Sequence, residues 1–204
     1  MASRIIHICI ADKLAKIHNL NYACFLLGSI APDAHYPNLP PHVGSHFALP
    51  EEKRKVNNFI DYQIFIDKYL NKNRNDFFLG YYCHLISDEI WYSDIYTKYI
   101  LANNEKDILS RMELVYRDYR RLNGKVIQYY CLNDLSNISL DVLDGLRMEE
   151  IDLTAFENVL DEAKTDFNYG MERNETLELL EFEEIRNYIN KAVSECSAAI
   201  KKYM

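Results

Sequence analysis

All five prolines of this 204-residue chain fall between Pro32 and Pro50, in a stretch that reads PDAHYPNLPPHVGSHFALP. Proline has no backbone N–H to donate and its ring clashes with the preceding turn, so this stretch is neither regular helix nor central strand. The rest of the chain is free of the strongest helix breaker, and only six glycines are spread over the whole sequence. Rich in Leu, Ile, Glu and Lys, that remainder favours helices joined by few breaks. The expected fold is all-α: a single domain over residues 1–204, a bundle of about six to eight helices with a long Pro-rich loop after the second. With 49% hydrophobic residues, a chain of this length buries one sizeable core.

Periodicity sets the expected elements. A first helix starts near Ser3 as N-cap and runs to about Leu20, with His7, Ile10, Leu14 and Ile17 on one face. A second covers Tyr22 to Ile30. The helical pattern returns from Glu51 to Leu70, and Asn71, Asn73 and Asn75 break it before Asp76, read as an N-cap. The stretch from Phe77 to Leu101 is apolar nearly all round, the mark of a central buried helix. Further helices are expected over Glu105–Cys131, Leu153–Phe167 and Leu177–Tyr203.

The net charge of −8 is concentrated, because residues 144–184 hold fourteen acids against three bases, which is −11 and leaves +3 elsewhere. Such a segment reads as a solvated helical face, and it argues against a footprint for duplex nucleic acid. Five cysteines, odd in number and never in a C-x-x-C pair, read as reduced core residues. His7, Asp12 and Lys13 interrupt the first apolar run, so neither a signal peptide nor a membrane span is expected, and the reading is cytoplasmic.

Two polar residues interrupt the apolar stripe of the central helix. Phe77, Tyr81, His84, Asp88, Trp91 and Ile95 follow one another at spacings of four and three, so His84 and Asp88 project where core residues project. Burying a carboxylate without a partner costs several kcal/mol, and the usual remedies are a hydrogen-bonded ion pair or a bound cation. A His and an Asp one turn apart can chelate one metal ion together. A satisfied core histidine beside an ordinary ion pair is the plainer alternative, but His7 also lies on an apolar face. The Pro-rich loop adds Asp33, His35, His42 and His46, nitrogen and oxygen donors suited to zinc. His18, about 16 Å along the first helix from His7, cannot share its site. The sequence has no G-x-S-x-G, P-loop, Gly-rich dinucleotide turn or adjacent His-Asp pair.

Taken in order, IIHICIADK, LLGSIAPDAH, SHF and FFLGYYCHLISDEIW resemble the zinc-dependent phospholipase C family over roughly the first half of the chain. The resemblance implies an all-α bundle holding one or two zinc ions, with Asp33, His46, His84 and Asp88 around one ion and His7 with Asp88 on a second. It implies activated water near neutral pH, and Asp33 as a catalytic proton acceptor. The downstream histidines that hold a third ion in the family have no counterpart, since His84 is the last histidine. That position is expected to be lost or rebuilt from carboxylates such as Asp118 or Glu113. The expected function is hydrolysis of a small phosphate ester. The competing one, from another class, is a non-catalytic helical binding protein that metal merely stabilises. Tyr36, Phe47, Tyr81, Trp91 and Tyr92 are candidates to line a pocket, with Tyr81 and Trp91 expected in the core.

Overall fold

The computed structural model describes residues 1–34, 44–55, 58–101, 107–171 and 175–204. His35, His42 and Tyr36 lie outside them. The described residues form seven α-helices and no β-strand: α1 Arg4–His18, α2 Tyr22–Ile30, α3 Tyr62–Phe65, α4 Asp76–Trp91, α5 Ile108–Tyr130, α6 Leu153–Met171 and α7 Phe182–Ile200. Helices α3 and α4 continue as wider π-helical turns, Ile66–Leu70 and Tyr92–Leu101. The expected all-α bundle is thus observed. No described helix is long and apolar enough to cross a membrane.

Helix α4 is the axis of the core, with buried residues on every face. It packs most closely against α2, and two glycines set that distance. A Cβ placed on Gly28 would lie 2.0 Å from the carbonyl oxygen of Phe77, and one on Gly80 would lie 2.0 Å from that of Phe25. Any side chain at either position would force the two backbones apart. Helix α7 packs on α1 and α4 from the other side, and Trp91 meets Tyr188 edge to face at 5.1 Å between ring centres.

Several boundaries differ from expectation. Helix α1 begins after Ser3, but the Ser3 hydroxyl leaves the helix end and donates to Asn123 Oδ1 at 2.9 Å. Ile17, expected on the buried face, is exposed, while His7, Ile10 and Leu14 are buried. The N-cap of α4 is Asn75, whose side chain accepts from the Phe77 N–H; the Asp76 carboxylate instead accepts the Asn21 N–H.

The helix expected from Glu51 starts only at Tyr62, after a single 3-10 turn at Glu51–Lys53. In its place the chain doubles back, with Leu49 N–H bonded to Phe59 and Asp61 N–H bonded to Phe47. Asp61 then caps α3 by accepting from Ile64. Similarly α7 starts at Phe182 rather than Leu177, because the N–H groups of Glu178, Leu179 and Leu180 are turned onto Asp118.

Candidate metal centre

Four elements meet around Asp88. Helix α1 brings His7, the 3-10 turn after α2 brings Asp33, the segment before α3 brings His46, and α4 brings His84 and Asp88. The structure therefore gathers all five residues expected from the sequence. His7, His46, His84 and Asp88 are buried, whereas the Asp33 side chain is 17% exposed.

The ring nitrogens are oriented by their far sides. His84 Nδ1 lies 2.7 Å from the Ser29 carbonyl oxygen, which can only accept, so Nδ1 carries a hydrogen and Nε2 is the nitrogen left to take either a proton or a metal ion. The close crossing at Gly28 and Gly80 is what brings that carbonyl within reach. His7 Nδ1 lies 3.1 Å from Ser87 Oγ, and the Ser87 hydroxyl donates to the His84 carbonyl at 2.9 Å. Its hydrogen committed, Ser87 Oγ accepts from His7, and the His7 Nε2 lone pair is bare.

His46 Nδ1 lies 3.2 Å from Ser45 Oγ, and the Tyr81 hydroxyl donates to the Ser45 carbonyl. Phe47, next along, adopts a left-handed backbone (φ 49°), a conformation that costs an L-residue about 1–2 kcal/mol. It is held there by edge contacts with Phe65, Tyr69 and Tyr81.

The near sides converge. His84 Nε2 is 3.2 Å from Asp88 Oδ2 and 3.2 Å from His46 Nε2, while His46 Nε2 is 3.5 Å from Asp88 Oδ2. Donors bound tetrahedrally to one zinc at 2.0–2.1 Å stand about 3.3 Å apart, so this triangle has the dimensions of one face of a zinc tetrahedron. Asp33 Oδ1 stands 3.8 Å from His46 Nε2 on the exposed side. On the other side, His7 Nε2 faces Asp88 Oδ1 at 3.3 Å.

Protein hydrogen bonds do not resolve this convergence. Among the described residues, His7 Nε2 and Asp88 Oδ2 are buried with no hydrogen-bond partner, a costly state for two acceptors unless a cation lies among them. Burial, then the proximity of His84, lowers the His7 pKa. Burial works against charge on His84 too, but Asp88 and then Asp33 outweigh it and raise that pKa above the ordinary imidazole value. In the same way His84 and His7 overcome burial at Asp88 and hold its carboxyl well below the usual range. A site that draws a proton onto a fully buried imidazole draws positive charge in general. The His and Asp groups present can hold a metal ion, in the sets His7/His84/Asp88 and Asp33/His46/His84.

Other expected participants lie elsewhere. Asp118 is fully buried, but its oxygens accept three backbone N–H bonds at 2.8–2.9 Å and an Arg121 bond at 3.1 Å. It clamps α5 to residues 178–180 and is no ligand. Glu113 is exposed on α5, so the structure provides no third position from either carboxylate. His18 is half-buried at the end of α1 and bonded to Ser197 at 2.8 Å. Phe47, Tyr81 and Trp91 are core residues, and Tyr92 stacks on Phe59. Sequence reasoning missed Ser29, Ser45, Ser87 and the Ala2 N–H, which lies 3.2 Å from Asp88 Oδ1. Of these only Ser87, one turn after His84 and beside Asp88, had a spacing that could have been read.

Residues 1–91 match the model of a family described as zinc dependent phospholipase C. That stretch ends at Trp91, the last residue of α4, and contains all five converging residues. The resemblance read from the sequence is therefore borne out there, and zinc is the ion that the family's description names. No curated protein and no solved structure matched the chain.

Proposed function

We propose that this chain, a relative of the zinc-dependent phospholipases C over residues 1–91, hydrolyses small phosphate esters at the centre built on His84 and Asp88. The observation that carries the reading is the uneven burial of the donors: four are closed off, and Asp33 alone reaches solvent. Catalytic zinc sites keep an open position, whereas structural ones are closed. His46, His84 and Asp88 Oδ2 would hold one ion, with its remaining position toward Asp33 and solvent, and His7 with Asp88 Oδ1 would hold a second. Zinc there would supply neutralisation of phosphoryl charge and a water of lowered pKa.

The chain's own residues do the rest. Asp33, at the exposed edge, accepts the proton of the attacking water. As the new P–O bond forms, the ester P–O bond breaks and the leaving oxygen takes up a proton from solvent, to which Asp33 gives back the one it accepted. The Ser29, Ser45 and Ser87 contacts hold the three imidazoles so that their Nε2 atoms stay aimed inward, sparing reorganisation during the reaction. A cytoplasmic setting is part of the proposal, supported by five cysteines that are all free thiols.

A structural role for the metal is the second reading. It is favoured by the position of the larger cavities among the described residues: one of about 860 Å³ between residues 140–157 and Phe77, and one of about 700 Å³ between Asn21, Tyr22 and residues 133–138, are lined by none of the five. A panel of activated phosphomonoesters and phosphodiesters separates the two. Turnover that is lost on chelation and restored by zinc supports hydrolysis, and zinc-loaded protein inert on the whole panel supports the structural role.

A further inference from the structure

The two groups of donors around Asp88 are not equivalent. On the Oδ2 side, His46, His84 and Asp88 close a triangle of zinc dimensions with Asp33 beside it. On the Oδ1 side, His7 Nε2 and Asp88 Oδ1 converge, the third member of that group, His84, is shared with the other side, and Asp88 Oδ1 already accepts the Ala2 N–H. The second position therefore has fewer donors of its own, and it exists only while His7 presents a bare Nε2. A neutral imidazole has two tautomers, and the group on its far side chooses between them.

We propose that Ser87 is the positioning residue that makes this weaker second ion position, so that the two positions load unequally. Its hydroxyl hydrogen is spent on the His84 carbonyl at 2.9 Å, which leaves its oxygen to accept from His7 Nδ1 at 3.1 Å. Its backbone is fixed in turn, since the Tyr188 hydroxyl of α7 donates to the Ser87 carbonyl at 3.0 Å. Without the hydroxyl, His7 Nδ1 has lost its acceptor in a buried site. The hydrogen then moves to Nε2, where Asp88 Oδ1 at 3.3 Å accepts it, and the lone pair that would meet the ion is gone. The first position is insulated from this change, because His84 is set by Ser29 and His46 by Ser45.

The inference rests on the metal reading above but not on catalysis. The test is zinc titration of the metal-free chain against a chromophoric chelator, for wild type and Ser87→Ala, with the His7 tautomer read by nitrogen NMR of the metal-free proteins. Wild type should bind one zinc tightly and a second more weakly. Ser87→Ala should keep the tight class, weaken the second by about 10- to 100-fold, and carry the His7 hydrogen on Nε2 instead of Nδ1. One class in wild type, equal weakening of both, or an unchanged second class and tautomer overturns the proposal. Inert protein that still shows the split retains it while removing the hydrolase reading, whereas a chain that binds no zinc removes both.

Discussion

The ring of His84 is held 2.7 Å from the carbonyl oxygen of Ser29, a contact between the middle of α4 and the last turn of α2, two helices that touch backbone to backbone. Gly28 precedes Ser29 on α2, and Gly80 lies one turn before His84 on α4. The distance between the helices and the tautomer of a candidate ligand are thus one structural fact.

Gly80→Ala should therefore damage both stability and metal binding. Its Cβ would meet the Phe25 carbonyl oxygen at 2.0 Å, and separating α2 from α4 should cost about 3 kcal/mol or more. Thermal melting and zinc titration check the pair of effects. A stable variant with unchanged zinc affinity would show that the crossing does not set the site.

Replacing Asp33 by Asn should act on turnover. It keeps the shape and removes proton acceptance, so kcat should fall by about 100-fold or more, with KM changed only a few-fold. Steady-state kinetics on an activated phosphodiester measure both. A variant that loses affinity while keeping kcat would make Asp33 a binding residue instead.

Asp118 makes a pH prediction away from the centre. Burial opposes its charge, but the N–H bonds from Leu180, Glu178 and Leu179, with Arg121, win and lower its pKa. A carboxyl whose folded pKa lies below its unfolded value, about 3.9, stabilises the fold above that value. This contribution is lost as pH falls through the folded pKa. Asp118→Asn should therefore cost about 2–4 kcal/mol at neutral pH and show a shallower loss of stability below about pH 4. Denaturant midpoints across the acid range test it, and parallel curves for wild type and variant would contradict it.

What was legible in the sequence was what is local. His84 and Asp88 stand one helical turn apart in an apolar stripe, so their inward direction follows from spacing alone. The prolines marked the segment that leaves the helices, and with it Asp33 and His46. The limits of α2 were also readable, since Asn21 caps it and a proline follows closely. What was hidden depends on contacts distant in sequence. The reversal pairing Phe47 with Asp61 cancels the helical pattern after Glu51, and Asp118 claims N–H groups 60 residues away that would otherwise have extended α7. Ser29 and Ala2 act through the backbone, which no side-chain pattern reveals.

The zinc content of protein purified without added metal, compared between wild type and Asp88→Ala, tests the metal centre most directly. Asp88 presents one oxygen to His46 and His84 and the other to His7, so its loss removes a donor from both positions. Wild type should carry at least one zinc per chain by elemental analysis, and Asp88→Ala should lose most of it. Zinc-free wild-type protein, or an Asp88→Ala variant that retains the wild-type zinc content, would contradict the account.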